Sequence, residues 1–98
     1  MKKEFLQALF AALNTGYSFA VLRNYEGLPE VCDSRDIDIL LPSRELKRLK
    51  PELARIASAT GCGVLYENWD NQFWTVVYAD EHSQVFQLDF QYNFAWRS

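Results

Sequence analysis

Asp36, Asp38 and Asp89 are the residues of this chain best suited to do chemistry. The first two lie in Asp36-Ile37-Asp38-Ile39-Leu40-Leu41 and the third in Phe86-Gln87-Leu88-Asp89-Phe90, apolar runs that read as β-strands. An ionised carboxylate inside such a run is costly unless something stabilises its charge. Residues two apart on a strand share a face, about 6.6 Å from each other at ~3.3 Å rise per residue. Asp36 and Asp38 can therefore address one divalent-cation cluster, which a carboxylate from a second strand would complete. Hard Mg²⁺ prefers oxygen ligands and leaves coordination positions for water and substrate phosphates, and Mn²⁺ accepts the same donors. A pair of such ions ~3.5–4 Å apart serves both the attacking and the leaving oxygen of a displacement. The chemistry indicated is metal-assisted phosphoryl or nucleotidyl transfer. The competing reading makes the three residues ordinary solvent-facing groups on a half-exposed sheet. The depletion of Asp in strands, and the mutual repulsion of three like charges, weigh against it.

The elements that would hold these residues follow from periodicity. Phe5, Leu6, Leu9, Phe10 and Leu13 form one helical stripe over residues 2–13, closed by Asn14 to Gly16. Residues 17–22 are β-rich and short, residues 23–33 read as a loop, and residues 36–41 form a second strand closed by Pro42. Ser43 is the expected N-cap of a helical region carrying Leu46, Leu49, Leu53 and Ile56. Pro51 predicts a kink there, or two short helices, and Gly61-Cys62-Gly63 ends the region. Residues 64–67, 73–79 and 85–94 read as strands, the last two joined as a hairpin across residues 80–84. In the final strand Phe86, Leu88, Phe90, Tyr92 and Phe94 alternate with Gln87, Asp89, Gln91 and Asn93. Asp89 thus belongs to a polar sheet face, as do Asp36 and Asp38 opposite Ile37, Ile39 and Leu41. If the two strands are neighbours, all three carboxylates share one open face. The fold class expected is a small α/β (α+β) domain: a mixed sheet with helices on one face and the acidic site on the other.

Composition bounds the remaining classes. Ninety-eight residues, 49% of them hydrophobic and 15% aromatic, suit one well-packed domain over residues 1–98. A net charge of −3 supplies no basic field, so general affinity for nucleic acid is not expected. No apolar run reaches the ~18 residues of a membrane span, and Met1-Lys2-Lys3-Glu4 does not open a signal peptide. Cys32 and Cys62 match no metal or redox spacing and read as free thiols, which suits a cytoplasmic location. His82 falls among Asp80, Glu81 and Ser83 in the hairpin loop, where a solvated side chain is the default. Trp69, Trp74 and Trp96 read as packing residues.

The pair Asp36-Ile37-Asp38 followed by Leu88-Asp89-Phe90, with the order helix, strand, loop, Asp-x-Asp strand, helix, strands, resembles the DNA polymerase β-like nucleotidyltransferase superfamily. The stretch Leu22-Arg23-Asn24-Tyr25-Glu26-Gly27-Leu28-Pro29, then Ser34-Arg35-Asp36-Ile37-Asp38, is similar to a bacterial branch associated with surface polysaccharides and sugar modification. The resemblance covers nearly the whole chain through short motifs. It implies a nucleotidyltransferase-like core that moves a nucleotidyl group from a nucleoside triphosphate to a hydroxyl-bearing acceptor. Asp36 and Asp38 would bridge the metals, while Asp89 would ligate the catalytic ion and help deprotonate the acceptor. The family places a Gly-Gly/Ser element about a dozen residues before its first Asp, and here Arg23-Asn24 stands at that position. Asn24 could donate in place of the family's serine, and Arg23 could clamp phosphate as a fork; Ser34 and Arg35 could touch phosphate or could only shape the entry to the strand. Equally, Arg23 could pair with Glu26 while Asn24 merely begins the loop.

The departure at Arg23-Asn24 keeps a rival reading open, a catalytically silent nucleotide-binding module. A second rival is an oligomerising structural domain with a merely polar sheet face. Relatives of the family generally continue into further helices. The expectation is therefore a catalytic core belonging to a longer protein, or a minimal domain completed as a homo-oligomer that covers Tyr92, Phe94 and Trp96.

Overall fold

The computed structural model describes residues 2–23 and 36–92 of the chain. It is an α+β domain. Helix α1 (Lys2–Gly16) is followed by strands β1 (Ala20–Arg23) and β2 (Asp36–Leu40), helix α2 (Ser43–Ala59), and strands β3 (Gly63–Trp69), β4 (Phe73–Ala79) and β5 (Val85–Gln91). The five strands form one mixed sheet in the order β1-β2-β5-β4-β3. Among the described strands the β2–β5 pair is parallel and the other three neighbouring pairs are antiparallel.

Alternation along the strands decides which face the helices cover. Ile37, Ile39 and Leu41, Trp74, Val76 and Tyr78, and Phe86, Leu88 and Phe90 all point to one side and are buried. There they meet Phe5, Leu6, Leu9, Phe10 and Leu13 of α1 and Leu46, Leu49, Leu53 and Ile56 of α2 in a single core. Phe5 anchors α1 on the β4–β5 hairpin, its ring 4.7 Å from that of Tyr78 and 5.1 Å from that of Phe86. The first amide of α1, on Lys2, donates to Asp80 Oδ2 at 3.1 Å, so a carboxylate from the distant hairpin loop satisfies a helix N-terminus. The same carboxylate accepts from the amides of His82 and Gln84, which shapes the loop.

Helix α2 departs from expectation twice. Pro42, not Ser43, occupies the N-cap, with no side-chain hydrogen bond there, and Ser43 is the first helical residue. Pro51 lies inside one continuous 17-residue helix rather than between two short ones. Proline removes one amide donor from the helix ladder. Here Pro51 is exposed, so the carbonyl it leaves unpaired lies on the solvent side. The buried stripe runs past it on both sides, through Leu46 and Leu49 to Leu53 and Ile56, and tertiary packing carries the helix through the break. The end is a Schellman-type cap: Gly61 adopts φ +73°, where a Cβ would be strained, and the amide of Cys62 donates to the Ala57 carbonyl at 2.9 Å.

The strands also shift in extent. Strand β1 begins at Ala20 rather than residue 17, and β3 runs from Gly63 to Trp69, longer than its apolar core suggested. Every residue of β3 is exposed, and β3 is an outer strand of the sheet with a neighbour on one side only. No helix among the described residues is long and apolar enough to cross a membrane.

Candidate active site

The helix-free face of the sheet is built from residues that alternate with the core. On β2 these are Asp36, Asp38 and Leu40; on β5, Gln87, Asp89 and Gln91; on β4, Phe73, Thr75 and Val77. Register brings the acids together. Asp38 lies directly opposite Asp89 across the parallel β2–β5 pair, and Asp36 lies opposite Gln87. Adjacent strands are ~4.8 Å apart, so the Asp38 and Asp89 side chains rise from neighbouring points of one face, with Asp36 two residues along. The row continues outward: Thr75 of β4 stands opposite Asp89, and Asn68 of β3 opposite Thr75. On the other flank Arg23, the last residue of β1, has its Cα paired with that of Asp38. Asn24 and Ser34 lie outside the described residues, as do Cys32, Phe94 and Trp96.

The three acids differ in setting. Asp36 is exposed, whereas Asp38 is only 8% exposed although it faces away from the helices. Both are engaged by other groups of the chain, as burial of a carboxylate requires. Asp89 is half-buried and its partners are explicit. Thr75 Oγ1 donates to Oδ1 at 2.7 Å, and Gln87 Nε2 donates to Oδ1 at 3.1 Å and to Oδ2 at 3.0 Å. Sequence reasoning did not single out Thr75 or Gln87, yet a signal was there. Gln87 is two residues before Asp89 and must share its face. Counting back from the hairpin pair Ala79–Val85 sets Thr75 opposite Asp89.

An all-oxygen donor set of three carboxylates, with an amide and a hydroxyl beside them, suits a hard divalent ion in chemical type. Among the described residues, no three His, Cys, Asp or Glu side chains already converge closely enough to hold one.

The remaining residues have structural settings. His82 is exposed in the β4–β5 loop. Cys62 is a buried free thiol. Trp74 is buried against Phe90, their ring centroids 5.4 Å apart, and Trp69 stacks on Trp74 at 5.1 Å. Both indoles donate to Glu67 Oε1, at 3.2 Å from Trp69 and 3.0 Å from Trp74. Lys50 Nζ lies 4.3 Å from the Trp69 ring centroid, which closes this cluster on the helix side of the sheet.

No protein-family model matches the chain, and neither the curated proteins nor the solved structures contain a significant match to it.

Proposed function

We propose that the domain is a Mg²⁺-dependent nucleotidyltransferase-like module that transfers a nucleotidyl group from a nucleoside triphosphate to a hydroxyl-bearing acceptor. The observation that supports this most directly is the placement of Asp38 opposite Asp89 on adjacent parallel strands, with Asp36 on the same helix-free face. In this reading Asp36, Asp38 and Asp89 hold the divalent ions, with Mn²⁺ able to replace Mg²⁺. The bound metal supplies charge neutralisation for the triphosphate and lowers the pKa of the attacking hydroxyl. The acceptor oxygen forms its bond to the α-phosphorus as the bond to pyrophosphate breaks, and Asp89 takes up the acceptor proton. Arg23, whose Cα is in register with Asp38, provides the phosphate fork, assisted by Asn24 and Ser34.

The test is a melting curve with and without Mg²⁺ or Mn²⁺, followed by a panel of nucleoside triphosphates. A ligand that binds only the native state at a hundredfold excess over its Kd adds about 2.7 kcal/mol. Both ions should raise Tm, and Asp38→Asn should abolish the rise. A wild-type protein indifferent to both ions would remove the metal reading. A second reading, a silent nucleotide-binding module, is favoured by the separation of the three carboxylates among the described residues. Nucleotide binding with no pyrophosphate release in the presence of Mg²⁺ and varied hydroxyl acceptors would select it.

A further inference from the structure

Strand β3 has a neighbour on one side only. Among the described residues five large hydrophobic side chains are exposed, and four of them, Val64, Leu65, Tyr66 and Trp69, lie on this strand. Singly such residues mean little; grouped along an open sheet edge they mark a surface that takes a partner. We propose that β3 is a self-association edge. A second copy of this chain adds its own β3 antiparallel, about a twofold axis at Asn68, and joins two five-stranded sheets into one of ten. The inference is independent of the nucleotidyl-transfer reading.

Backbone phase sets what the edge can bind. The Asp70 amide donates to the Phe73 carbonyl at 3.0 Å, so a hydrogen-bonded pair closes the β3–β4 hairpin. Hydrogen-bonded and non-hydrogen-bonded pairs alternate along an antiparallel ladder. Asn68–Thr75 is therefore of the first kind, and Glu67–Val76 and Trp69–Trp74 are of the second. The N–H and C=O groups of Glu67 and Trp69 consequently point away from β4, toward an edge where no described strand lies. Another extended backbone is the natural complement of such a row. Strand β3 contains no Lys, Arg or Pro to blunt the edge. Its one register shift, between Val64 and Tyr66, comes before the stretch 66–70.

Charge favours a copy of the same chain and selects the register. Glu67 and Trp69 lie on the helix side of the sheet, where Lys50 Nζ sits 4.3 Å from the Trp69 ring centroid. One edge thus presents an acid and a base side by side. A twofold axis at Asn68 lays Glu67 opposite the partner's Trp69, with the partner's Lys50 over that ring, and repeats the pair in reverse. An axis at Glu67 would instead oppose two like carboxylates, and one at Tyr66 would draw the irregular end of the strand into the ladder. Pairing over five residues is small beside the ~800 Å² per partner of a standard interface. The dimer therefore forms at high concentration, and the domain is monomeric in a dilute unfolding measurement.

The experiment is sedimentation equilibrium of the full chain from the micromolar to the millimolar range. The average mass should rise from that of one chain toward that of two. Asn68→Lys sets two ammonium groups face to face on the axis and should weaken association by more than about tenfold. Its Tm at micromolar concentration should stay close to wild type, because position 68 is exposed. Asn68→Cys reads the register. Its Cα would lie ~4.5 Å from that of its symmetry mate, a non-hydrogen-bonded pair, which a disulfide can span. Mild oxidation should link two copies of Asn68→Cys but not of Tyr66→Cys, whose symmetry mates are ~13 Å apart along the strand. A wild-type mass of one chain at every concentration would overturn the proposal. Association undiminished in Asn68→Lys would also overturn it, since the contact would then lie elsewhere. Cross-linking of Tyr66→Cys in place of Asn68→Cys would overturn the axis at Asn68.

Discussion

Strands β2 and β3 invert the usual relation between polarity and burial. Strand β2 carries two aspartates in five residues, yet Ile37, Asp38 and Ile39 are all buried. Strand β3 contains Val64, Leu65, Tyr66 and Trp69, yet every one of its residues is exposed, Leu65 at 62% and Tyr66 at 56%. Position in the sheet accounts for the difference. Strand β2 has neighbours on both sides and helices over one face; β3 has a neighbour on one side only. Apolar residues at an edge need no special explanation, whereas a buried carboxylate in an interior strand must have its charge met by specific partners. The comparison singles out β2 and β5 as the adjacent strands that carry partnered carboxylates on the helix-free face.

The comparison can be tested by substitution at each site. The largest loss is expected on the core face of the central strands: Leu88→Ala should cost about 2–5 kcal/mol in urea unfolding, the range for a buried leucine. Next in size is the metal increment. The rise of about 2.7 kcal/mol expected at a hundredfold excess of Mn²⁺ should vanish in Asp38→Asn. Asp36→Asn, at an exposed position, should also lose it while keeping the metal-free Tm. If Asp36→Asn instead unfolds the domain, the carboxylate supports the sheet.

A smaller effect, dependent on pH, is expected at Asp80, outside the acidic row. Burial on its own would raise the pKa of this carboxyl, but the amides of Gln84, Lys2 and His82 and the nearby His82 ring more than offset it, and the net shift is downward. A depressed folded-state pKa gives stability that is complete above the ordinary Asp range near ~3.9 and is lost as pH falls through the lower folded value. Asp80→Ala should therefore cost about 1 kcal/mol at pH 7, as for loss of a helix cap. The gap between variant and wild type should narrow below about pH 4 in acid-titrated melts. Smallest of all is Leu65→Thr on the edge strand, expected to stay within about 0.5 kcal/mol. A loss there comparable to Leu88→Ala would mean that β3 is covered in solution and that the contrast with β2 is false.

Much of this arrangement was legible in residue order. The alternation from Phe86 to Gln91 separated core from open face correctly, and Ile37 and Ile39 did the same for Asp36 and Asp38. Hairpin β4–β5 was visible from its loop residues. Strand order was not, because period-two patterning tells which face a residue takes and nothing about which strand lies beside it. The continuity of α2 through Pro51 was hidden for a related reason: a local rule about proline was outweighed by a buried stripe whose partners come from other elements. The burial of Asp38 could not be read either, since Asp36 and Asp38 share one face of β2 and only the neighbouring strands, Asp89 and Arg23 beside Asp38 and Gln87 beside Asp36, distinguish them.

The place of β5 in the sheet has a consequence for the history of the molecule. Among the described strands it is fifth in chain order and third across the sheet. Before it exists, β1 with β2 and β3 with β4 can form only two separate antiparallel pairs, each with an edge that belongs in the interior. Joining them requires β5 to dock on β2 across about fifty intervening residues, a contact of high sequence separation that slows folding. The pairing that joins the two halves also creates the Asp38–Asp89 juxtaposition. A ligand that needs both Asp38 and Asp89 therefore requires a chain in which β5 has docked on β2.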